Sequence, residues 1–387
     1  MPAPIYLDHA ATTPVRAEVR SAMEPFFGPR FGNPSSTHRW GREARAALDE
    51  ARERVAQVLG AHADEICFTS GGTEGDNLAI LGVWRACRGE GRNAVLSTQI
   101  EHKAVLGAVH AAAAEGAEER MVPVTASGIV DRERFSALIG DDVAVCSVMW
   151  VNNEIGTVQP VPELAEEARA HGAHFHTDAV QAFGKLPIDV SELAVDMLTI
   201  SGHKIGAPKG IGAMYIRRDT PLRPLLHGGS QDRGRRAGTE NVAFAVGLAR
   251  AVELAASERV QECAHLEAMR DRLEAALLAR VPDAVVHGRD VPRAPHILNI
   301  SVPGTDSESM LMALDLSGVA CSSGSACQSG NVDPSHVLAA MGVPRDVAVS
   351  AVRMSLGSLT TDECVERVSE LFPALIAKAR RLSGAVS

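Results

Sequence analysis

Positive charge is in short supply in this chain. Its 387 residues include 38 Lys and Arg against 48 Asp and Glu, a formal net charge of −10. That balance disfavours a nucleic-acid surface as the main function, because phosphate contacts need clustered cations. Arg233, Arg235 and Arg236 form one local basic patch, readable as a solvated turn, a dimer contact or a docking site. No apolar run is long enough to span a bilayer. The first eight residues have neither a basic stretch nor a long apolar one, so no secretory signal is expected. A CxxC pair is also missing. The seven cysteines (Cys67, Cys87, Cys146, Cys263, Cys321, Cys327 and Cys364) are odd in number and scattered. They fit reduced thiols better than a disulfide framework or a zinc site. A cytoplasmic protein is expected, with no metal and no membrane contact. Repeats and low-complexity tracts are absent as well.

What is present is ordinary for a globular protein, with 45% hydrophobic and 22% charged residues. The length favours two domains. Residues 40–59 carry apolar positions at helical spacing, and Gly60 follows as a stop. A short strand at 65–70 runs into Gly71-Gly72-Thr73-Glu74-Gly75, with a helix expected from near Asp76. That order aims free backbone N–H groups at an anion. Further strands are expected at 93–97, 142–150, 173–177, 197–201 and 212–216, with helical patterns between several. Such alternation predicts a mostly parallel sheet with helices on both faces. A helix-rich stretch at 240–280 leads to strands at 296–302 and 349–356 and a helix at 307–316. A last helix is expected from Thr360, with Glu363 completing a capping box.

The chemistry concentrates at Lys204, in Ser201-Gly202-His203-Lys204, and at Asp178 and Gln181, which close another strand-like run. A lysine taken alone is usually a solvated surface residue, and an aspartate alone is usually a cap or ion-pair partner. Together they match what pyridoxal phosphate requires: an amine to form the Schiff base and a carboxylate to keep the pyridine nitrogen protonated. Hydroxyl, imidazole and backbone donors would hold the phosphate. The stretch from Cys321 to Asn331, Cys-Ser-Ser-Gly-Ser-Ala-Cys-Gln-Ser-Gly-Asn, is poor in apolar anchors. Its composition predicts a mobile loop. Structural cysteines usually sit among apolar neighbours, so Cys327 there suggests reactivity.

These segments resemble the cysteine desulfurases, within the class V aminotransferase group of fold-type I pyridoxal-phosphate enzymes. The resemblance runs almost end to end, through Tyr6 to Pro14, Phe31 to Ser36, Thr69 to Asn77, Asn152 to Gly156, the Asp178 and Lys204 motifs, Arg236 to Asn241, the Cys327 loop, and Arg353 to Gly357. The Ser-Ser-Gly-Ser-Ala-Cys loop is similar to the subgroup of housekeeping and nitrogen-fixation desulfurases. The implied fold is α/β, with a large, mostly parallel seven-stranded domain at 15–255. A smaller α+β domain, 1–14 plus 256–387, would carry the catalytic loop at about 321–333.

The resemblance also implies site roles. Lys204 is the Schiff-base lysine and the base at Cα, and Asp178 pairs with the pyridinium. Gln181 bonds the ring's phenolic oxygen, and His102 stacks on the ring. Gly72, Thr73, Ser201 and His203 form the phosphate cup, and Thr239 reaches in from the second subunit of a homodimer. Arg353 grips the substrate carboxylate, helped by Asn153. Cys327 takes sulfur from L-cysteine as a persulfide, leaving alanine, and passes it to an acceptor protein. A free thiol with a pKa of about 8.5 is only slightly ionised at neutral pH, and His102 is the first candidate to activate it. Iron–sulfur assembly, tRNA thiolation, DNA phosphorothioation and thiamine or molybdopterin supply are all possible destinations. The alternatives are selenocysteine lysis, an aminotransferase acting on serine or alanine, and a non-catalytic assembly platform. Three positions depart from the common pattern. Ala237 stands where proline or serine is usual, Gly202 where alanine is common, and Ala207 interrupts a glycine pair before Pro208. Cys321 is an added thiol whose participation is open.

Overall fold

The computed structural model describes residues 3–323 and 334–382. Seven strands form the main sheet in the spatial order Ile66–Thr69, Gly212–Ile216, Met197–Ser201, His174–Asp178, Val143–Ser147, Ala94–Thr98 and Glu118–Val122. Only Gly212–Ile216 runs against its neighbours, and the other four pairings are parallel. The inner strands are buried at nearly every position. A sheet covered by helices on both faces requires this.

The expected strands lie within a few residues of the observed ones. The Glu118–Val122 edge strand was not expected. Its Glu-Glu-Arg start reads as loop, yet an edge strand with an exposed face tolerates charge and resists pairing with other chains.

The expected helix at 40–59 spans Arg39–Leu59 and ends at Gly60, whose φ of 72° suits glycine. The next helix starts earlier than expected. It spans Gly72–Cys87 and takes the glycines into its first turn. The capping box at Thr360 and Glu363 is not formed. Thr360 Oγ1 instead accepts from Gly357 N at 3.0 Å, and Thr361 Oγ1 accepts from Cys364 N at the start of Asp362–Leu382. The helix begins two residues later because Thr360 is occupied in closing the turn after Gly357.

A second sheet has three antiparallel strands, in the order Ala351–Ser355, Ile297–Ser301 and Val285–Val286. One 39-residue helix, Val242–Arg280, serves two hydrophobic cores. Its first half packs Leu248, Val252 and Ala255 beneath the large sheet, and its second half packs Leu266, Leu273 and Leu277 against the small one. Ile5–Tyr6 pairs with Val319–Ala320, which returns residues 8–13 across the C-terminal ends of the large sheet's parallel strands.

Candidate active site

Three strands deliver their last residues to one edge of the large sheet. Ile66–Thr69 ends before Gly71, His174–Asp178 ends on Asp178, and Met197–Ser201 ends on Ser201. In open α/β sheets, ligands settle at this carboxyl edge.

Lys204 follows on a single turn, Gly202–Lys204. Its Nζ donates to the carbonyl oxygens of Ala10 at 2.6 Å and Ala11 at 2.8 Å. Burial, followed by the Arg353 charge, lowers the amine to about 8, against the pull of Asp178 and Asp8. A lysine so placed holds a substantial neutral, nucleophilic fraction near neutral pH.

The Gly202 and Ala207 departures are explained together. A Cβ on Gly202 would lie 3.0 Å from the Ala207 methyl and 3.0 Å from Ile211 Cγ2. The methyl at 207 occupies the space that one at 202 would need.

Asp178 is 6% exposed, and Oδ1 accepts from Val180 N at 2.9 Å. Burial raises its pKa, opposed first by His102. A buried carboxyl of this kind calls for a cationic N–H partner. His102 caps the helix Lys103–Ala114, with Nδ1 accepting from Ala104 N at 3.2 Å. Burial depresses its pKa, while Asp178 pulls it back. The capping bond assigns the proton to Nε2. His102 therefore offers a donor, and acting as the base expected for Cys327 would require giving up the cap.

Gly71, the N-cap of Gly72–Cys87, makes no side-chain cap bond, so first-turn N–H groups remain as donors. An added Cβ on Gly72 would meet Val180 Cγ2 at 3.0 Å and Ser201 Cβ at 3.7 Å, which places Gly72 and Ser201 side by side. Thr73 is exposed on the first turn. His203 Nδ1 lies 3.2 Å from Thr12 Oγ1, and burial followed by Lys204 lowers its pKa to about 4. It is a neutral imidazole at working pH. Thr239 stands exposed on its loop.

Gln181 donates from Nε2 to Ala10 O at 2.9 Å, and its Oε1 lies 3.3 Å from His296 Nε2. One amide hydrogen is left for a bound group.

Arg353 sits inside the strand Ala351–Ser355. Nη1 donates to Asn153 O and Nη2 to Asp8 Oδ1, each at 2.8 Å, while Nε has no partner among the described residues. Asn153, expected to help Arg353 with the substrate carboxylate, accepts from Arg353 through its backbone carbonyl. The backbone of Arg353 exchanges two hydrogen bonds with Ser322, at 2.6 and 3.1 Å. The root of the cysteine loop is therefore fastened to the arginine strand. Cys327 itself lies outside the described residues. Cys321 packs against the small core, and burial raises its thiol to about 12. It is fully protonated at neutral pH.

Two of the three arginines in the Arg233–Arg236 patch are engaged within the chain, while Arg233 is exposed. Arg236 Nε donates to Glu74 Oε1 at 2.8 Å and Arg235 Nη1 to Asp64 O at 2.7 Å, both within the chain.

Several contributors were given no individual role by the sequence, although they lie in the Tyr6 to Pro14 segment that carries the resemblance. Ala10 and Ala11 act through their carbonyls. Thr13 donates to His203 O and accepts from Gly206 N, each at 2.9 Å.

An amine with lowered basicity, a buried carboxyl lacking a cation and an uncapped glycine helix start define a pyridoxal-phosphate enzyme. The residues present fit that cofactor. The family model for class-V aminotransferases matches residues 5–368, and the chain belongs to that family, in the fold-type I group. It is 45% identical to the cysteine desulfurase IscS of Dictyoglomus turgidum over 379 residues, covering 98% of this chain and 96% of the relative. It is 47% identical to the cysteine desulfurase NifS of Azotobacter vinelandii over 382 residues, covering 98% and 94%. A solved NifS-like protein superposes with a TM-score of 0.88 at 35% identity, covering 99% of this chain and 100% of that one.

Proposed function

We propose that this enzyme removes sulfur from L-cysteine, releases alanine, and carries the sulfur as a persulfide on Cys327 to an acceptor protein. The observation that carries this reading is the backbone pairing of Ser322 with Arg353. It roots the thiol-bearing loop beside the guanidinium suited to the substrate carboxylate. Arg353 is held in place by Asp8 and Asn153 O, and such a fork receives a carboxylate with little reorganisation.

Pyridoxal phosphate, when bound, supplies an electron sink for charge developing at the substrate's Cα. Asp178 keeps the ring nitrogen charged. Lys204 takes the Cα proton and returns it. The Cys327 sulfur forms a bond to the substrate sulfur as the carbon–sulfur bond breaks. The electron pair stays with the substrate carbon, which takes up a proton and leaves in alanine. His102, Gln181, Gly72, Thr73, Ser201 and His203 bind and orient the cofactor.

The same reading includes a large unit at 15–255 and a small one at 1–14 plus 256–387, supported by the two cores that share one helix. It includes a homodimer in which Thr239 completes the partner's site, supported by the exposure of that residue. No helix among the described residues is long and apolar enough to cross a membrane, in keeping with a cytoplasmic enzyme. The acceptor serves iron–sulfur assembly or sulfur modification of nucleic acid.

Replacing Cys327 by serine tests the activity. The Cys327→Ser enzyme is expected to keep the cofactor's visible absorbance and lose persulfide formation and sulfide release. Unchanged amino-group transfer to a keto acid, with no need for the thiol, would favour an aminotransferase instead.

A further inference from the structure

Behind Asp178 lies a second carboxyl with no Lys or Arg beside it among the described residues. Asp76 is 1% exposed, and one oxygen each from Asp76 and Asp178 and a ring nitrogen of His102 lie within 4.8 Å of one another. Asp76 is brought there by Gly75. A Cβ on Gly75 would stand 2.7 Å from Thr199 Cγ2, so only glycine lets the helix start press onto the strand Met197–Ser201.

The neighbours of Asp76 form a chain of polar contacts. Ser147 Oγ lies 2.8 Å from His176 Nδ1, and His176 Nε2 lies 2.9 Å from Thr199 Oγ1. The Thr199 hydroxyl also faces the Asp76 carboxyl, where it opposes the larger effect of burial, which raises Asp76. Burial lowers His176 to about 3, so it is neutral. A proton on His176 Nε2 would make Ser147 the donor to Nδ1 and leave the threonine proton for Asp76. Asp76 Oδ1 has no hydrogen-bond partner among the described residues and lies 3.7 Å from that same Nε2.

The titratable groups facing this pocket are Asp178, Glu101, His176 and His102. Glu101 is itself raised to about 8 by burial. Two adjacent buried carboxyls cannot both ionise without a compensating cation. A partnerless oxygen in the interior is far less costly on a neutral acid than on an anion.

We propose that Asp76 works as a protonated positioning residue, which leaves the pair's single negative charge on Asp178, facing the cofactor's ring nitrogen. The Ser147–His176–Thr199 chain orients the neutral acid. This rests on the assignment of Asp178 to the ring nitrogen and adds a requirement to it. Were the proton on Asp178 instead, the ring would lose its anion; were both ionised, the pocket would hold an uncompensated charge.

The test is titration of apoenzyme with pyridoxal phosphate, reading the dissociation constant and the pH dependence of the visible band. Asp76→Asn keeps a neutral group of the same shape. It is expected to stay within about threefold of the parent affinity and to leave the band's pH midpoint unmoved. Asp178→Asn, the control, is expected to bind at least about tenfold more weakly, equivalent to about one pKa unit of lost charge interaction. An Asp76→Asn enzyme that loses affinity and shifts its band as Asp178→Asn does would overturn the inference. If both variants match the parent, the Asp178 assignment fails instead. Should Asp76→Asn not fold, the infrared spectrum of the parent holoenzyme decides at about pH 9.5, above the titration of Glu101. A protonated-carboxyl stretch that shifts in heavy water is expected, and its absence overturns the proposal.

Discussion

Lys204 is held by carbonyl oxygens and not by a carboxylate, so no ion pair locks its proton in place. Burial then dominates and brings the amine to about 8, from the ordinary 10.5. The sign follows directly: a lowered lysine pKa enriches the neutral amine from about pH 8 upward, where an ordinary lysine would still be charged. Capture of pyridoxal phosphate by apoenzyme is therefore expected to accelerate with pH and level off above a midpoint near 8. Stopped-flow absorbance checks this, and a midpoint near 10.5 would contradict it. At the same scale, Cys321 shows that a thiol near the site is not thereby a reactive one. Packed against the small core, it keeps its proton through the working range.

Among the elements, the helix Arg39–Leu59 has an unusual anchor. Arg52 is 4% exposed and pairs with the buried Asp232. It also donates to Ile66 O at 2.8 Å and lies over the Phe68 ring. The helix, the first strand of the sheet and the turn that leads to the Thr239 loop are thus tied to one guanidinium. Arg52→Ala would leave Asp232 buried without a partner, at a cost of roughly 3–5 kcal/mol. Urea unfolding checks this, and a loss below about 1 kcal/mol would contradict it. The elements themselves were legible in the sequence where hydrophobic period and glycine stops agree, as at 40–60. Legibility failed where a local pattern had two uses. The Gly71–Gly75 run reads as a loop before a helix, yet its glycines belong to the first turn because that turn must expose N–H groups and press on Thr199. Glu118–Val122 reads as a charged connection, yet it is the sheet's edge.

At the scale of the whole molecule, the site is assembled from distant parts of the chain. Residues 8–13 return from the amino terminus to hold Lys204, His203 and Arg353. The strand Ala351–Ser355 brings Arg353 from the other end. Side chains with irreplaceable chemistry, such as Lys204, Asp178 and Cys327, stand out from sequence. Carbonyls of alanines do not, since any residue has one. Asp76, Thr199 and His176 stayed hidden for a related reason: each is an ordinary polar residue within a regular element, and only their mutual packing makes them a unit.

The central claim is that carbon–sulfur cleavage and sulfur capture occur on one chain through one thiol. A single turnover with isotopically labelled L-cysteine, with no acceptor or reductant added, tests it most directly. One alanine released per labelled persulfide found on the Cys327 peptide by mass spectrometry is the predicted result. Alanine formed with no label on Cys327, or label retained elsewhere after Cys327→Ser, would contradict it.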